Sequence, residues 1–239
     1  MRLEHGHSPE EIADRLSGGP KASYLRDWIY GGIDGAVTTF AIVAGAVGAS
    51  LEARVVLIMG VANLVADGFS MAAANFSATR AEIADYRRLE AMERRHIASA
   101  PASEREEVRQ IFRAKGFSGA DLETLVRLVT RNRRAWVDTM LTEEHGRSAT
   151  IQDPWRAALA TFAAFLVCGA VPLAPFVLGL PAAAATATAL TAAVFFAIGS
   201  AKSRWSTVHW AVSGLETLAV GLGAALVAYG IGHGLQALI

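Results

Sequence analysis

The sequence predicts an all-α polytopic membrane protein, with five transmembrane helices and a helical insert between the second and the third. Of its 239 residues, 53% are hydrophobic and only 18% are charged, which is too apolar for a soluble domain of this length. The charged residues are concentrated in one central segment. Five apolar stretches each provide the roughly 20 helical residues that cross a hydrocarbon core. They are 28–50, 55–78, 155–177, 182–201 and 206–235.

The ends and the overall composition exclude several classes of protein. Residues 1–27 mix both charge signs and contain no apolar core of the signal-peptide type, so we expect a short cytosolic arm. A single cysteine, Cys168, excludes an intrachain disulfide or a cysteine-based zinc site. Equal numbers of basic and acidic residues, 22 of each, argue against a nucleic-acid partner and leave lipid as the expected surroundings.

The segment 80–153, which separates the second apolar stretch from the third, determines the predicted orientation. It contains 14 of the 22 basic residues, whereas Arg54 stands alone after the first stretch and none lies near Pro181. Because basic loops stay on the cytosolic side, the N-terminus, this insert and the turn at Lys202 and Arg204 are predicted to be cytosolic. The C-terminus is then on the opposite side.

The insert itself reads as helices. Residues 81–97 continue the second stretch without glycine or proline, so one helix is expected to leave the membrane and run on. Other boundaries follow from capping residues and helix-ending glycines. The predicted boundaries are a capping box at Ser103 and Glu106, a stop at Gly116, a second capping box at Ser118 and Asp121, a cap at Asn132, a stop at Gly146, and a start at Asp153 and Pro154.

Polar residues within the apolar stretches suggest an ion path. Asn63, Asp67, Met71 and Asn75 recur every four residues and therefore share one helical face. Hydrogen bonding between helices would explain the two asparagines alone. The carboxylates of Asp67 and Asp34 favour an ion path instead, because isolated charges are costly in lipid. Oxygen ligands combined with a thioether favour iron or manganese over magnesium or calcium.

The insert carries a second set of candidate metal ligands, grouped at helical spacing. A Glu-x-x-His motif places a carboxylate and an imidazole on one helical face, as in carboxylate metal bundles. Two further groups carry acidic residues, one of them beside a methionine. Such glutamates also occur on solvated helix faces, paired with arginine. The candidates are Glu93, His96, Glu104, Glu107, Met140, Glu143 and Glu144.

Four segments of the chain form a specific pattern by their order and spacing. They are YGGIDGAVTTFAIVAG, ANLVADGFSMAAANFSATRAE, GAVPLAPF and GLETLAVGLGAALVAYGIG. This pattern resembles the vacuolar iron transporter family, and the resemblance covers about residues 24–234. The resemblance implies a homodimeric exchanger with five spans that moves Fe²⁺ or Mn²⁺ out of the cytosol against protons, and a cytosolic metal-binding domain. Such a protein would lie in the inner membrane of a bacterial cell or in a vacuole-type membrane of a eukaryote.

The resemblance also assigns residues. In the membrane, the family's path aspartate and methionine fall on Asp34 and Met71. The family has a glutamate where this chain has Asn63, and Asp67 is the candidate substitute. In the insert, His96 replaces a family carboxylate, which keeps a good ligand for iron, manganese, zinc or cobalt. The other family ligands fall on Glu93, Glu104, Glu107, Met140 and Glu144.

Two other classes of protein compete with a transporter. A membrane-bound di-metal carboxylate oxidase would use the Glu93-x-x-His96 helix, but it would need a second such motif, and the insert has one. A membrane-anchored metal sensor would not need Asp34, Asp67 or Met71 within lipid. Glu216, in the last stretch, could belong to the path or bond a neighbouring helix. We expect no prosthetic group and no enzymatic activity.

Overall fold

The computed structural model describes residues 7–17, 19, 21–148 and 150–238, and these residues form helices and no strand. Among the described residues, five helical segments are long and apolar enough to cross a membrane, so the predicted fold class is confirmed. These segments are Leu25–Gly48, Ala53–Ser99, Pro154–Val177, Ala183–Trp205 and Trp210–Gln236. In chain order the helices of the described residues are α1 (Pro9–Ser17), α2 (Leu25–Gly48), α3 (Ala53–Ser99), α4 (Pro101–Ala114), α5 (Gly119–Arg131), α6 (Arg133–Glu143), α7 (Pro154–Gly169), α8 (Ala174–Val177), α9 (Ala183–Lys202) and α10 (Trp210–Gln236).

The chain divides into two compact units. The insert unit comprises residues 1–22 and 78–152, and the membrane unit comprises residues 23–77 and 153–239. Helix α3 contributes to both units, because it continues for 47 residues without a break. This agrees with the expected extension of the second apolar stretch through residues 81–97.

Side-chain caps account for two of the four predicted helix starts. The Asn132 side chain accepts hydrogen bonds from the backbone N–H groups of Arg134 and Ala135, at 3.0 and 3.2 Å. The Asp153 carboxylate accepts from the N–H of Arg156 at 2.9 Å, directly before a proline in the first turn. These two contacts satisfy N–H groups that would otherwise lack partners at the starts of α6 and α7.

The two predicted capping boxes differ from the structure. Helix α4 begins at Pro101, before Ser103, because a proline is favourable at the first helical position. The prediction for Ser103 and Glu106 was therefore wrong. Ser118 does occupy the N-cap position of α5, but its side chain makes no capping hydrogen bond.

In the membrane unit, glycines bring backbones into direct contact. A Cβ atom added to Gly35 on α2 would lie 2.4 Å from the carbonyl oxygen of Phe165 on α7. One added to Gly48 would lie 2.3 Å from the carbonyl oxygen of Tyr229 on α10. Small residues allow this approach, which is a common way to pack helices in lipid. Helices α7 and α10 therefore contact α2 backbone to backbone.

Replacing Gly35 by alanine is expected to destabilise the protein. The added methyl group would overlap a backbone carbonyl that cannot move without displacing α7, and overpacking of this kind costs about 1–3 kcal/mol. We expect a melting temperature several degrees lower in detergent. Gly223→Ala is the matched control, because no atom lies within 4 Å of its added Cβ. Equal melting temperatures for the two variants would contradict the close packing.

The membrane half of α3 meets its neighbours differently. A Cβ added to Gly60 would approach the side chain of Leu173, and one added to Gly68 would approach the rings of Phe162 and Phe165. These contacts are made by side-chain atoms and not by backbone. Outward-facing residues such as Phe69 are largely exposed. At these two glycines, α3 is therefore packed against side chains and not against backbone.

The insert unit has its own apolar core. Its buried residues come from the second half of α3 and from α4, α5 and α6, and Trp136 lies at 3% exposure among them. This core fixes the helices that carry the acidic candidates. Its buried members are Leu89, Ile97, Val108, Leu122, Val126, Trp136, Val137, Met140 and Leu141.

Candidate metal sites

A cavity of about 740 Å³ in the membrane unit contains two of the predicted path residues. Asp34 on α2 and Met71 on α3 both line it. Along α2 the lining extends from Leu25 to Val37, which is about 18 Å of helix. Lys202, at the end of α9, also lines this cavity. A carboxylate and a thioether thus line one cavity, and these two ligand types suit a borderline divalent metal.

The other predicted membrane residues lie outside the lining of this cavity. Asp67 is exposed in the single chain, and its negative charge is close enough to Asp34 for the two carboxylates to repel each other. The amide nitrogen of Asn63 is buried without a hydrogen-bond partner among the described residues. Glu216 is exposed on α10. The assignment of Asn63 and Asp67 to the path, and the role of Glu216, stay predictions.

Asn75, the fourth residue of the polar face, makes structural hydrogen bonds. Its amide nitrogen donates to the carboxylate of Asp27 and to the hydroxyl of Thr161, both at 2.8 Å. Asp27 and Thr161 are buried on α2 and α7. One side chain of α3 therefore joins two other helices, which is the helix-bonding explanation considered for the asparagines.

In the insert unit, Glu93 is the centre of two clusters of potential metal ligands. In the first, ligand atoms of Glu93, His96 and Glu104 all lie within 4.8 Å of one another. In the second, Glu93, Glu144 and His145 do the same. Glu93 and Glu104 are 1% and 4% exposed, which is unusual for carboxylates. The two clusters share the most deeply buried acid of the unit.

Two oxygen atoms of these acids are buried without a partner. Oε2 of Glu93 and Oε2 of Glu104 accept no hydrogen bond from the described residues. Burying an unpaired carboxylate oxygen costs free energy, and such groups are normally satisfied. A divalent cation in the cluster would provide the missing partner.

The remaining candidates of the insert have different surroundings. Glu107 is exposed, and its negative charge contributes to the raised pKa of Glu104. Met140 is fully buried within the apolar core of the unit. Glu143 pairs with Lys115 and belongs to neither ligand cluster, so for this residue the charged-face explanation holds.

His145 is the residue that the sequence reasoning missed. Its Nε2 lies 3.0 Å from Oε1 of Glu93. The residue follows Glu144 directly, but a histidine at a helix end beside acidic residues is not distinctive by itself. The contact joins residues 52 positions apart, so helical spacing could not reveal it.

Burial changes the acidity of the cluster. Burial, together with the nearby negative charges of Glu107 and Glu93, raises the pKa of Glu104 to about 7. Burial also raises the pKa of Glu144. Near neutral pH, the metal-free cluster therefore holds protons that a cation would have to displace.

Metal binding to the insert is expected to release protons near pH 7. Since the pKa of Glu104 is about 7, its carboxyl group is protonated in about half of the protein molecules at pH 7. Affinity should therefore fall as the pH drops below 7. Calorimetry on the full-length protein, in buffers of different ionisation enthalpy, measures the released protons. The Glu104→Gln variant should release fewer protons on metal binding, and an unchanged number of released protons would contradict this account.

Comparisons with known proteins match this chain over nearly its whole length. A model of the VIT family matches residues 25–233. The chain is 32% identical to a vacuolar iron transporter of Toxoplasma gondii over 230 residues, which is 91% of this chain and 76% of that protein. It is 31% identical to vacuolar iron transporter 1 of Oryza sativa subsp. japonica, over 97% of this chain and 91% of the relative. Vacuolar iron transporter 1 of Arabidopsis thaliana is 30% identical, over 86% and 83%. All three relatives are named as transporters and not as enzymes.

Proposed function

Because the chain belongs to the VIT family, we propose that it transports ferrous ion across a membrane, with Mn²⁺ as a second cargo. The observation that carries this proposal is the shared cavity of Asp34 and Met71 within a unit built of apolar helices. A carboxylate balances the charge of a dication, and a thioether favours iron or manganese over harder cations. Neither group would be needed in lipid for anchoring alone.

The proposed direction is out of the cytosol. The basic residues of 80–153 favour a cytosolic insert, with the C-terminus on the opposite side. An acidic cluster on the cytosolic side would collect the cation before it enters the cavity. In a eukaryotic cell the membrane would be of vacuolar type, as the names of the relatives suggest.

Proton exchange is the proposed source of energy. In a low-dielectric cavity the charge of Asp34 can be neutralised by a metal ion or by a proton, and the two therefore compete. Acid on the far side would protonate the site there and release the cation. The carrier would then return loaded with protons.

The proposed assembly is a homodimer. In the single chain, Asp67 and Glu216 are exposed within the apolar stretches of α3 and α10. A carboxylate facing lipid is costly, so such groups normally face a cavity, a partner or one another. A second copy of the chain would shield these residues and could bring Asp67 toward the path.

An oxidase is the weaker alternative. The Glu93 and His96 pair does lie in a carboxylate cluster, which such an enzyme would also need. The second cluster supplies a histidine adjacent to a glutamate and not a second Glu-x-x-His motif. The names of the relatives also favour transport.

Sealed vesicles of known orientation test the proposal. Purified protein is reconstituted with the insert facing outward, and Fe²⁺ entry and internal pH are followed with separate dyes. We expect iron entry to quicken when the interior is acidified, protons to leave as metal enters, and both to slow when a protonophore removes the gradient. Metal entry that is indifferent to the gradient would indicate a channel or uniporter. No entry beyond that of empty vesicles would contradict transport altogether.

A further inference from the structure

We propose that His145 is a metal ligand of the insert, and that with His96 it makes this site favour Zn²⁺ and Co²⁺ over Mn²⁺. The inference rests on the proposed function, since it concerns the cations that the insert collects. It assigns a role to a residue that the sequence motifs did not mark. The cluster concerned is Glu93, Glu144 and His145.

The separation of the ligand atoms suits a shared metal ion. Two ligand atoms about 2.1 Å from one octahedral metal are about 3.0 Å apart, and about 3.4 Å apart around a tetrahedral one. Nε2 of His145 lies 3.0 Å from Oε1 of Glu93 and 3.8 Å from Oε2 of Glu144. Because the three ligand atoms all lie within 4.8 Å of one another, a cation could bind all three side chains after small side-chain movements.

The carboxylate at the centre of this cluster has an unsatisfied oxygen atom. Glu93 is 1% exposed, and its second oxygen, Oε2, has no hydrogen-bond partner among the described residues. The contact with His145 satisfies only Oε1. A hydrogen bond between the two residues thus leaves half of this buried carboxylate unpaired, whereas a bound cation would compensate its charge.

The backbone fixes where His145 stands. Gly146 adopts φ +61°, and the N–H of Arg147 donates to the carbonyl of Leu141 at 2.8 Å, which closes the end of the last helical turn. The guanidinium of Arg147 also bonds the carboxylate of Asp85 on α3, at 2.6 Å. The imidazole is therefore presented by a closed and anchored chain segment, and ordering it on metal binding costs little.

A second imidazole belongs to the other ligand cluster that contains Glu93. Nδ1 of His96 is 3.5 Å from Oε1 of Glu104 in the first cluster. Imidazole ligands suit zinc, copper, iron and nickel, while an all-oxygen site suits magnesium, calcium and manganese. Affinities of mixed nitrogen and oxygen sites also rise from manganese to the later metals. Two histidines around one buried carboxylate should therefore widen the preference for Zn²⁺ and Co²⁺ over Mn²⁺.

Nitrogen coupling to bound Mn²⁺ tests coordination directly. Full-length protein in detergent is loaded with Mn²⁺, and electron spin echo modulation reports ¹⁴N in the first shell. We expect ¹⁴N modulation in the unmodified protein, weaker modulation in His145→Gln and in His96→Gln, and none in the double variant. His209→Asn is the control, since asparagine can still cap α10, and its modulation should be unchanged.

Competition titrations with Zn²⁺ and Mn²⁺ measure the preference. His145→Gln should lower Zn²⁺ affinity about tenfold or more and Mn²⁺ affinity much less, as for loss of one good ligand. The His145→Asp variant replaces the imidazole by a carboxylate, which is a ligand without nitrogen, so the variant should still bind metal. Its ¹⁴N modulation should be weaker, and its preference for Zn²⁺ over Mn²⁺ should be smaller. This variant separates coordination from a purely structural contact.

The outcomes distinguish this inference from the proposed function. Unchanged ¹⁴N modulation and an unchanged Zn²⁺ to Mn²⁺ ratio in folded His145→Gln would overturn the role of His145, whatever the vesicle assay shows. Vesicles that transport no metal, with nitrogen coupling intact, would overturn the transport proposal and leave His145 as a ligand. A melting curve for each variant identifies loss of folding.

Discussion

Asp34→Asn is expected to lower metal flux in vesicles by about 100-fold or more, while the protein still folds. At an effective dielectric constant of about 20, a unit charge and a dication 4 Å apart attract each other by about 8 kcal/mol. Losing even about 3 kcal/mol of this is worth roughly 100-fold in occupancy. Asparagine keeps the size of the side chain and removes only the charge that would balance the cation in the cavity.

Asp153→Asn is the matched control for this experiment. Asp153 caps α7 outside the cavity lining, and asparagine caps helices equally well, so flux should be unchanged. In the same assay, Asp67→Asn tests whether Asp67 replaces the missing acid at Asn63. Near-normal flux in Asp34→Asn would remove Asp34 from the path. Near-normal flux in Asp67→Asn would refute only the substitution.

Replacing both Glu93 and Glu104 by glutamine is expected to abolish metal binding to the insert. The pair provides two buried carboxylates, and neutral amide oxygens cannot hold a dication against water. We expect at least a 100-fold loss of affinity by calorimetry on the full-length protein. Glu106→Gln with Glu123→Gln is the control, because both of these acids are exposed and pair with Arg109. Retained affinity in the first variant would show that the buried acids are not ligands.

The same double variant should stabilise the metal-free protein above pH 7. In the folded protein the pKa of Glu104 is about 7, well above the usual value of 4.5. Between pH 4.5 and pH 7, the folded state therefore holds a proton that the unfolded state has lost. Stability of the unmodified protein therefore rises as the pH falls from 8 toward 5. The variant should lack this slope and gain about 1–3 kcal/mol at pH 8. A parallel slope in both proteins would contradict the burial effect.

The sequence predicted the helices well, because their signals are local. Long apolar stretches mark the spans, and Asn132 and Asp153 act as caps through neighbours two or three residues away. The helix start predicted at Ser103 was wrong because two local signals competed, and Pro101, two residues earlier, sets the start of α4. Local patterns give the right kind of element but not always its first residue.

The candidate sites depend on contacts that no local pattern encodes. The periodic face of α3 included Asn75, which binds Asp27 and Thr161 on two other helices. His145 reaches Glu93 across 52 positions. The residue pattern and the family resemblance both marked Asp34 and Met71, but the cavity that these two residues share requires the packed membrane unit. Tertiary packing therefore decides which of several similar polar side chains meet.

The contrast between backbone contacts and side-chain contacts has a mechanical consequence for the membrane unit. Helices α2, α7 and α10 touch through backbone atoms, so sliding one past another would force carbonyl groups to collide, and they should move as one rigid body. The membrane half of α3 contacts these helices through the side chains of Leu173, Phe162 and Phe165, and through the hydrogen bonds of Asn75 to Asp27 and Thr161. Displacing α3 relative to α2 would therefore break the Asn75 hydrogen bonds, but at Gly60 and Gly68 it would meet side chains and not backbone carbonyl groups. Since Met71 is on α3 and Asp34 on α2, such a displacement would change the distance between the two candidate ligands.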